Sequence, residues 1–140
     1  MDYRKMTAPC GLDCFNCLTF LASNDEETIR SVAEELKVDP AEIKCRSCRE
    51  MGGIIPSQGM TEPCPIYLCA QERGHEFCSE CEDFMCDKLN PNSQSRERTP
   101  CNIRVINLSL IKRMGVEKWA KEKQRRARKV QEEMIAKYDL

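Results

Sequence analysis

Ten of the eleven cysteines in this 140-residue chain lie between residues 10 and 86. Three of the intervals are C-x2-C pairs: Cys14/Cys17, Cys45/Cys48 and Cys78/Cys81. Two thiolates separated by two residues can turn onto one ion through a tight knuckle whose backbone amides point at the sulfurs. Two such pairs complete a tetrahedral four-thiolate zinc site. The constraint matters because the oily interior is meagre: Leu, Ile, Val and Phe together make 27 of 140 residues, thin for a self-sufficient core. A structural zinc supplies roughly 10–16 kcal/mol in apparent binding free energy. A whole domain is stable by only about 5–15 kcal/mol, so one filled site can decide whether such a chain folds.

Disulfides are the competing use of cysteine. The odd count, the adjacent pairs and an N-terminus (Met-Asp-Tyr-Arg-Lys-Met) without an apolar signal-like segment weigh against them. A reduced cytoplasmic setting is expected, where clustered cysteines bind metal more often than they pair. No apolar run of transmembrane length occurs in the sequence, so no membrane association is expected.

The ten candidate ligands are Cys10, Cys14, Cys17, Cys45, Cys48, Cys64, Cys69, Cys78, Cys81 and Cys86. Cys14/Cys17 with Cys45/Cys48 form one plausible four-thiolate set, closing a 27-residue insert. That insert is longer than the usual spacing of roughly 15–20 residues. Cys69, Cys78, Cys81 and Cys86 form a second compact set. Cys10 and Cys64 remain as rivals or bridging ligands, and spacing does not choose among the divisions. Two zinc ions are expected, with structural roles. Iron–sulfur is the alternative, since thiolates hold such clusters too. Cys10-x3-Cys14-x2-Cys17 matches the cluster spacing of radical S-adenosylmethionine enzymes, but the chain lacks their length and strands. A further alternative is a zinc enzyme with an open coordination position. No catalytic residue is identifiable: no oxyanion hole or paired carboxylates stand out, and the reading leans away from an enzyme.

His75, the single histidine, follows a helix-ending Gly74 and reads as a surface residue rather than a fourth ligand. Cys101 stands apart and reads as a small buried residue at a helix start. The stretch Lys121 to Lys129 carries six basic residues and one acid. It reads as a solvated face, or as a face docked on the acidic cysteine-rich part, rather than a nucleic-acid contact, because no aromatics interleave with the charges. Residues 1–95 carry a net charge of −8 and residues 96–140 one of +7, so the two parts attract. A protein partner is conceivable but not identifiable, and the sequence does not determine the oligomeric state.

The expected fold is mostly α: a small cysteine-rich, metal-stabilised domain of short helices and zinc knuckles, with a C-terminal helical hairpin. Residues 1–92 make the metal-binding part, 93–100 a polar linker and 101–140 a helical extension packed on the first part. Leu18, Phe20 and Leu21 sit in a short helix. Ser23 with Glu26 reads as a capping box for a helix with Ile29, Val32, Ala33 and Leu36 on one face. Asp39-Pro40 starts a brief helical turn. Residues 49–63 are a loop. Ile66–Arg73 and Glu82–Leu89 are short helices, the second stopped by Asn90-Pro91. Gly115 divides two further helices. The first has the stripe Ile103, Ile106, Leu110 and Met114. The second has Val116, Trp119, Ala120, Ala127, Val130, Met134 and Tyr138 on one side, interrupted by Lys123. Trp119 is the expected anchor onto the body.

At three segments the chain resembles a prokaryotic family known as domain of unknown function 3795. They are C-G-L-D-C-F-N-C at 10–17, C-R-S-C-R at 45–49 and C-A-Q-E-R-G-H-E-F-C-S-E-C-E-D-F-M-C-D-K-L at 69–89. The stretch I-K-R-M-G-V-E-K-W at 111–119 is similar to the family's tail. The resemblance implies zinc binding through the ten cysteines named above, and brings no activity, substrate or partner. Met85 stands where the family commonly has Pro, and Arg46 where it often has Asp; neither change removes a ligand.

Overall fold

The computed structural model describes residues 2–89 and 103–138, with the Tyr138 side chain left out. The linker expected at 93–100, the Asn90-Pro91 stop and Cys101 lie outside the described residues. Within them the chain is mostly helical. The α-helices are α1 (Leu18–Ala22), α2 (Glu26–Leu36), α3 (Pro40–Ile43), α4 (Pro65–Glu72), α5 (Ile103–Met114) and α6 (Val116–Tyr138). Short 3-10 turns cover Cys14–Asn16, Pro56–Gln58, Cys78–Glu80 and Asp87–Leu89. The extended pairing is one isolated bridge, Thr7 with Asp13. Among the described residues no helix is long and apolar enough to cross a membrane.

Local chemistry explains the helix ends. Asp39 caps α3 by accepting from Ala41 N at 2.8 Å, with Pro40 in the first turn, as its fixed φ favours. Gly74 ends α4 at φ +68°. His75 N donates to Ala70 O at 2.9 Å and Gly74 N to Gln71 O at 3.1 Å, the double closure that a left-handed C-terminal residue permits. The cap of α2 corrects the sequence reading. Asp25, not Ser23, accepts from Thr28 N at 3.1 Å; a carboxylate one residue before the first helical position reaches that amide. Ser23 is buried and used elsewhere.

The core gathers Tyr3, Ala8, Phe15, Ile66, Phe77 and Leu89 from the first part with Leu108, Ile111, Val116, Trp119 and Ala120 from the last two helices. Phe15 stands at its centre, edge-to-face with Tyr3 at 5.2 Å and with Trp119 at 5.6 Å. Such aromatic pairs add to plain area burial. Trp119 is 2% exposed, so the expected anchor is in place.

Three other expectations are corrected. Residues 82–86 form turns, with a cis Phe84–Met85 peptide, and only Asp87–Leu89 is helical. The face that α5 buries is Asn107, Leu108 and Ile111, while Ile103 and Ile106 are exposed and Leu110 is half-buried. Asn107 makes this face possible by donating to Gly11 O at 2.7 Å, so a polar side chain meets a backbone acceptor that no apolar residue could satisfy. Along α6, Val116, Trp119 and Ala120 are buried, but every described side chain from Arg125 to Lys137 is exposed. The stripe of Ala127, Val130 and Met134 therefore continues past the body it was expected to cover.

Lys123, read from sequence as an interruption, is a second anchor. Its ammonium meets Asp13 at 2.9 Å and Asn107 Oδ1 at 3.0 Å, and lies 5.5 Å from the Trp119 ring. Within the basic stretch, Arg125 pairs with Glu122 and, lower down, Lys129 with Glu133.

Candidate metal centre

The ten described cysteines carry no disulfide, and they sort into two cavities. Cys10, Cys14, Cys17, Cys45, Cys48 and Cys64 line a cavity of about 310 Å³. Cys69, Cys78, Cys81 and Cys86 line one of about 30 Å³, the space of a single water. The second is the compact set expected from spacing. The first collects the other two knuckles and adds both unassigned cysteines, Cys10 and Cys64. Among the described residues, no three or more His, Cys, Asp or Glu side chains converge closely enough to hold an ion as they stand. The thiols ring the cavities.

Backbone hydrogen bonds set the ring. Ser23, between α1 and α2, donates its hydroxyl to Thr19 O at 2.6 Å and accepts from Cys45 N at 2.8 Å. It thereby fastens Cys45 to the helix that begins just after Cys17. On the other side Gly53 N donates to Cys48 O at 2.7 Å, and Cys64 N donates to Gly53 O at 3.0 Å. Gly53 has φ +85°, and the Tyr67 ring lies where a Cβ would be, with its nearest atom at 2.6 Å, so only glycine fits. Cys78 N donates to Pro9 O at 2.9 Å, which joins the third knuckle to the segment carrying Cys10.

Knuckle-type amides also reach sulfur. The Leu12 N–H serves Cys10 and the Ser47 N–H serves Cys45, each two residues on, and the Cys48 N–H serves Cys14. Hydrogen bonds of this kind favour the thiolate. Ser47 takes the left-handed conformation at φ +79°, unusual for a non-glycine residue. It lies 2% exposed.

Electrostatics pull the other way. Burial, chiefly, pushes the Cys14 and Cys48 thiols up to about 12, with neighbouring cysteines adding to it: Cys45, Cys17 and Cys10 for Cys14, and Cys10, Cys14 and Cys64 for Cys48. Burial raises Cys10 and Cys45 as well, the Arg104 charge partly offsetting it at Cys10. Cys78 rises to about 12 through burial and then the charges of Cys10, Cys86, Cys69 and Cys81. Crowded buried thiols hold their protons until a cation displaces them.

Several supports carry no strong sequence signal. Arg49 Nε donates to Thr7 O at 2.7 Å and its Nη2 to Glu76 O at 2.6 Å, with the guanidinium 5.1 Å from the Phe77 ring. It clamps the N-terminal segment to the lead-in of the third knuckle. Arg73 donates to Cys81 Sγ at 3.1 Å and to Asp83 at 2.7 Å, placing a positive charge beside the four-cysteine set. An arginine directly after a knuckle was the one visible hint. His75 is half-buried and lines the smaller cavity, so it is less of a surface residue than its position suggested.

A family model described as "Protein of unknown function (DUF3795)" matches residues 6–91, a span that includes all ten cysteines. No curated protein and no solved structure matches the chain.

Proposed function

The protein belongs to the DUF3795 family, and on that premise we propose that it binds zinc at both cysteine-lined cavities, with the metals serving mainly as structural cross-links of a non-enzymatic interaction module. The observation that carries this reading is the sorting of ten unpaired cysteines into two cavities. The donor set fits: soft thiolates select zinc, copper(I) or iron–sulfur, and the amides directed at Cys10, Cys14 and Cys45 compensate thiolate charge. When bound, zinc supplies tetrahedral cross-linking without redox chemistry. The chain's own part is to bring distant segments together, Ser23 holding Cys45 and Gly53 linking Cys48 to Cys64. In this reading four thiolates fill a site and leave no position for water or substrate.

The division into a metal-binding part at 1–92, a linker at 93–100 and a helical extension at 101–140 belongs to the same proposal, as does a reducing, cytoplasmic setting in which the thiols stay unpaired. Metal analysis and an absorption spectrum of protein purified without added metal provide the test. Stoichiometric zinc and a colourless solution are expected. A brown protein with iron and acid-labile sulfide overturns the zinc reading in favour of an iron–sulfur protein. A zinc site with three protein ligands and a water would instead make it a candidate enzyme.

A further inference from the structure

Resting on the zinc reading of the four-cysteine cavity, we infer that Arg73 is a positioning residue of that site: it holds the Cys81 sulfur by a directed N–H bond and keeps that thiolate in place and slow to react. The sequence sets up the reach. Arg73 lies four residues after Cys69, about one helical turn on, so both side chains leave from the same side of the end of α4. Arg73 N donates to Cys69 O at 3.1 Å, and Gly74 N and His75 N close the helix end just beyond it. The side chain therefore starts from a fixed point beside one thiol of the set. Its Nη1 donates to Cys81 Sγ at 3.1 Å and to Asp83 Oδ2 at 2.7 Å. It ties α4 to the third knuckle across the cavity that Arg73 lines together with Cys69, Cys78, Cys81 and Cys86.

The chemistry of the contact suits a thiolate. A protonated thiol is a weak acceptor, whereas a charged donor on an anion makes a stronger bond. Among the described residues Cys81 is the one cysteine that accepts from a charged side chain. The Arg73–Asp83 pair is neutral as a whole, so Cys81 receives the pull of one aimed N–H rather than a net charge. Asp83 does the aiming. Its carboxylate takes the same nitrogen and fixes the guanidinium, much as a carboxylate fixes a metal-bound histidine. An N–H on a ligating sulfur draws on the lone pair that an electrophile would attack, and it favours the thiolate over the thiol. Both effects keep the cross-link closed. The Arg73 side chain is 46% exposed and that of Asp83 63%, so substituting either removes the contact without opening the core.

The test compares the full-length wild type with Arg73→Ala and Arg73→Lys, each loaded with zinc. Zinc affinity is read by competition with a chromophoric chelator. Alkylation of each cysteine by iodoacetamide, which is neutral and so not drawn to the arginine, is timed by peptide mass spectrometry. Arg73→Ala should weaken one zinc by about 10–100-fold and speed alkylation at Cys81 ahead of Cys69, Cys78 and Cys86. Arg73→Lys should restore most of both, because a single nitrogen makes both contacts and an ammonium carries three donors. Unchanged affinity and unchanged Cys81 alkylation in Arg73→Ala overturn the inference and leave the zinc reading standing. Equal acceleration at all four cysteines, or no recovery with lysine, makes Arg73 a mere brace and also overturns it. A wild type whose four cysteines are alkylated as fast with zinc as without it holds no ion at this set, which overturns both.

Discussion

The cysteine-lined body and the C-terminal helix α6 are built in opposite ways. Residues 2–89 use helices of at most eleven residues joined by turns, and their order depends on side chains tied to backbone: Ser23 to Cys45, Arg49 to Thr7 and Glu76. The 23-residue α6 is regular throughout, yet only its first turns are buried. The comparison separates regularity from anchorage. A long helix satisfies its own backbone and needs the body only where Val116, Trp119 and Ala120 meet it. The body instead joins short helices through turns and through side chains tied to backbone, and the proposed metals would add cross-links to it.

Removing metal should break this contrast most sharply. Chelation under reducing conditions is expected to unfold residues 8–90, at a cost on the order of 10 kcal/mol per site. Limited proteolysis with mass spectrometry should then find cleavage throughout that span; unchanged protection with the metal gone would mean the body stands on packing alone. Next in size is Trp119→Ala, which empties the anchor site against Phe15 and should cost about 3–5 kcal/mol in urea unfolding. Trp119→Phe should cost far less, since among the described residues the buried indole Nε1 has no hydrogen-bond partner and its loss leaves nothing unpaired. A small loss in the alanine variant would show that α6 is not anchored through this ring.

Gly11 sharpens the same interface at a lower cost. It has φ +85°, and an added Cβ would stand 2.9 Å from Leu108 Cγ and 3.0 Å from Arg104 O. Gly11→Ala should therefore destabilise by about 2–3 kcal/mol, adding a clash to left-handed strain. Gly115→Ala, at φ +82° with open space around it, should lose only the conformational part, about 1 kcal/mol. Equal losses at the two glycines would remove the argument for close approach between α5 and the first cysteine segment. The smallest effect belongs to the far end of α6. Val130, 56% exposed, should accept glutamine within about 0.5 kcal/mol. A larger loss would mean that something covers this stripe.

How legible each feature was follows from its range. Caps and breakers act over three or four residues, so Asp39-Pro40, Gly74 and Gly115 were readable from neighbours alone. Ser23 misled because it lies near a capping-box glutamate; its actual partner, Cys45 N, is twenty-two residues away. The buried face of α5 was misjudged because an apolar count favours Ile103, Ile106 and Met114. Asn107 is buried because its amide donates to the Gly11 carbonyl, 96 positions earlier, and accepts from Lys123 on α6. The candidate ligands could be named from sequence because thiol chemistry marks each one individually, whatever its surroundings. Their grouping could not, since it depends on distances between segments.

Residue types and short spacings alone established the ten thiols, their C-x2-C pairs, the helical class and the place where α5 gives way to α6. These rest on chemistry within a few bonds or one helical turn. Which cysteines share a cavity, which helix face is covered and where α6 leaves the body depend on contacts between residues tens of positions apart. Those contacts come from the packing of the whole chain, and no local pattern encodes them.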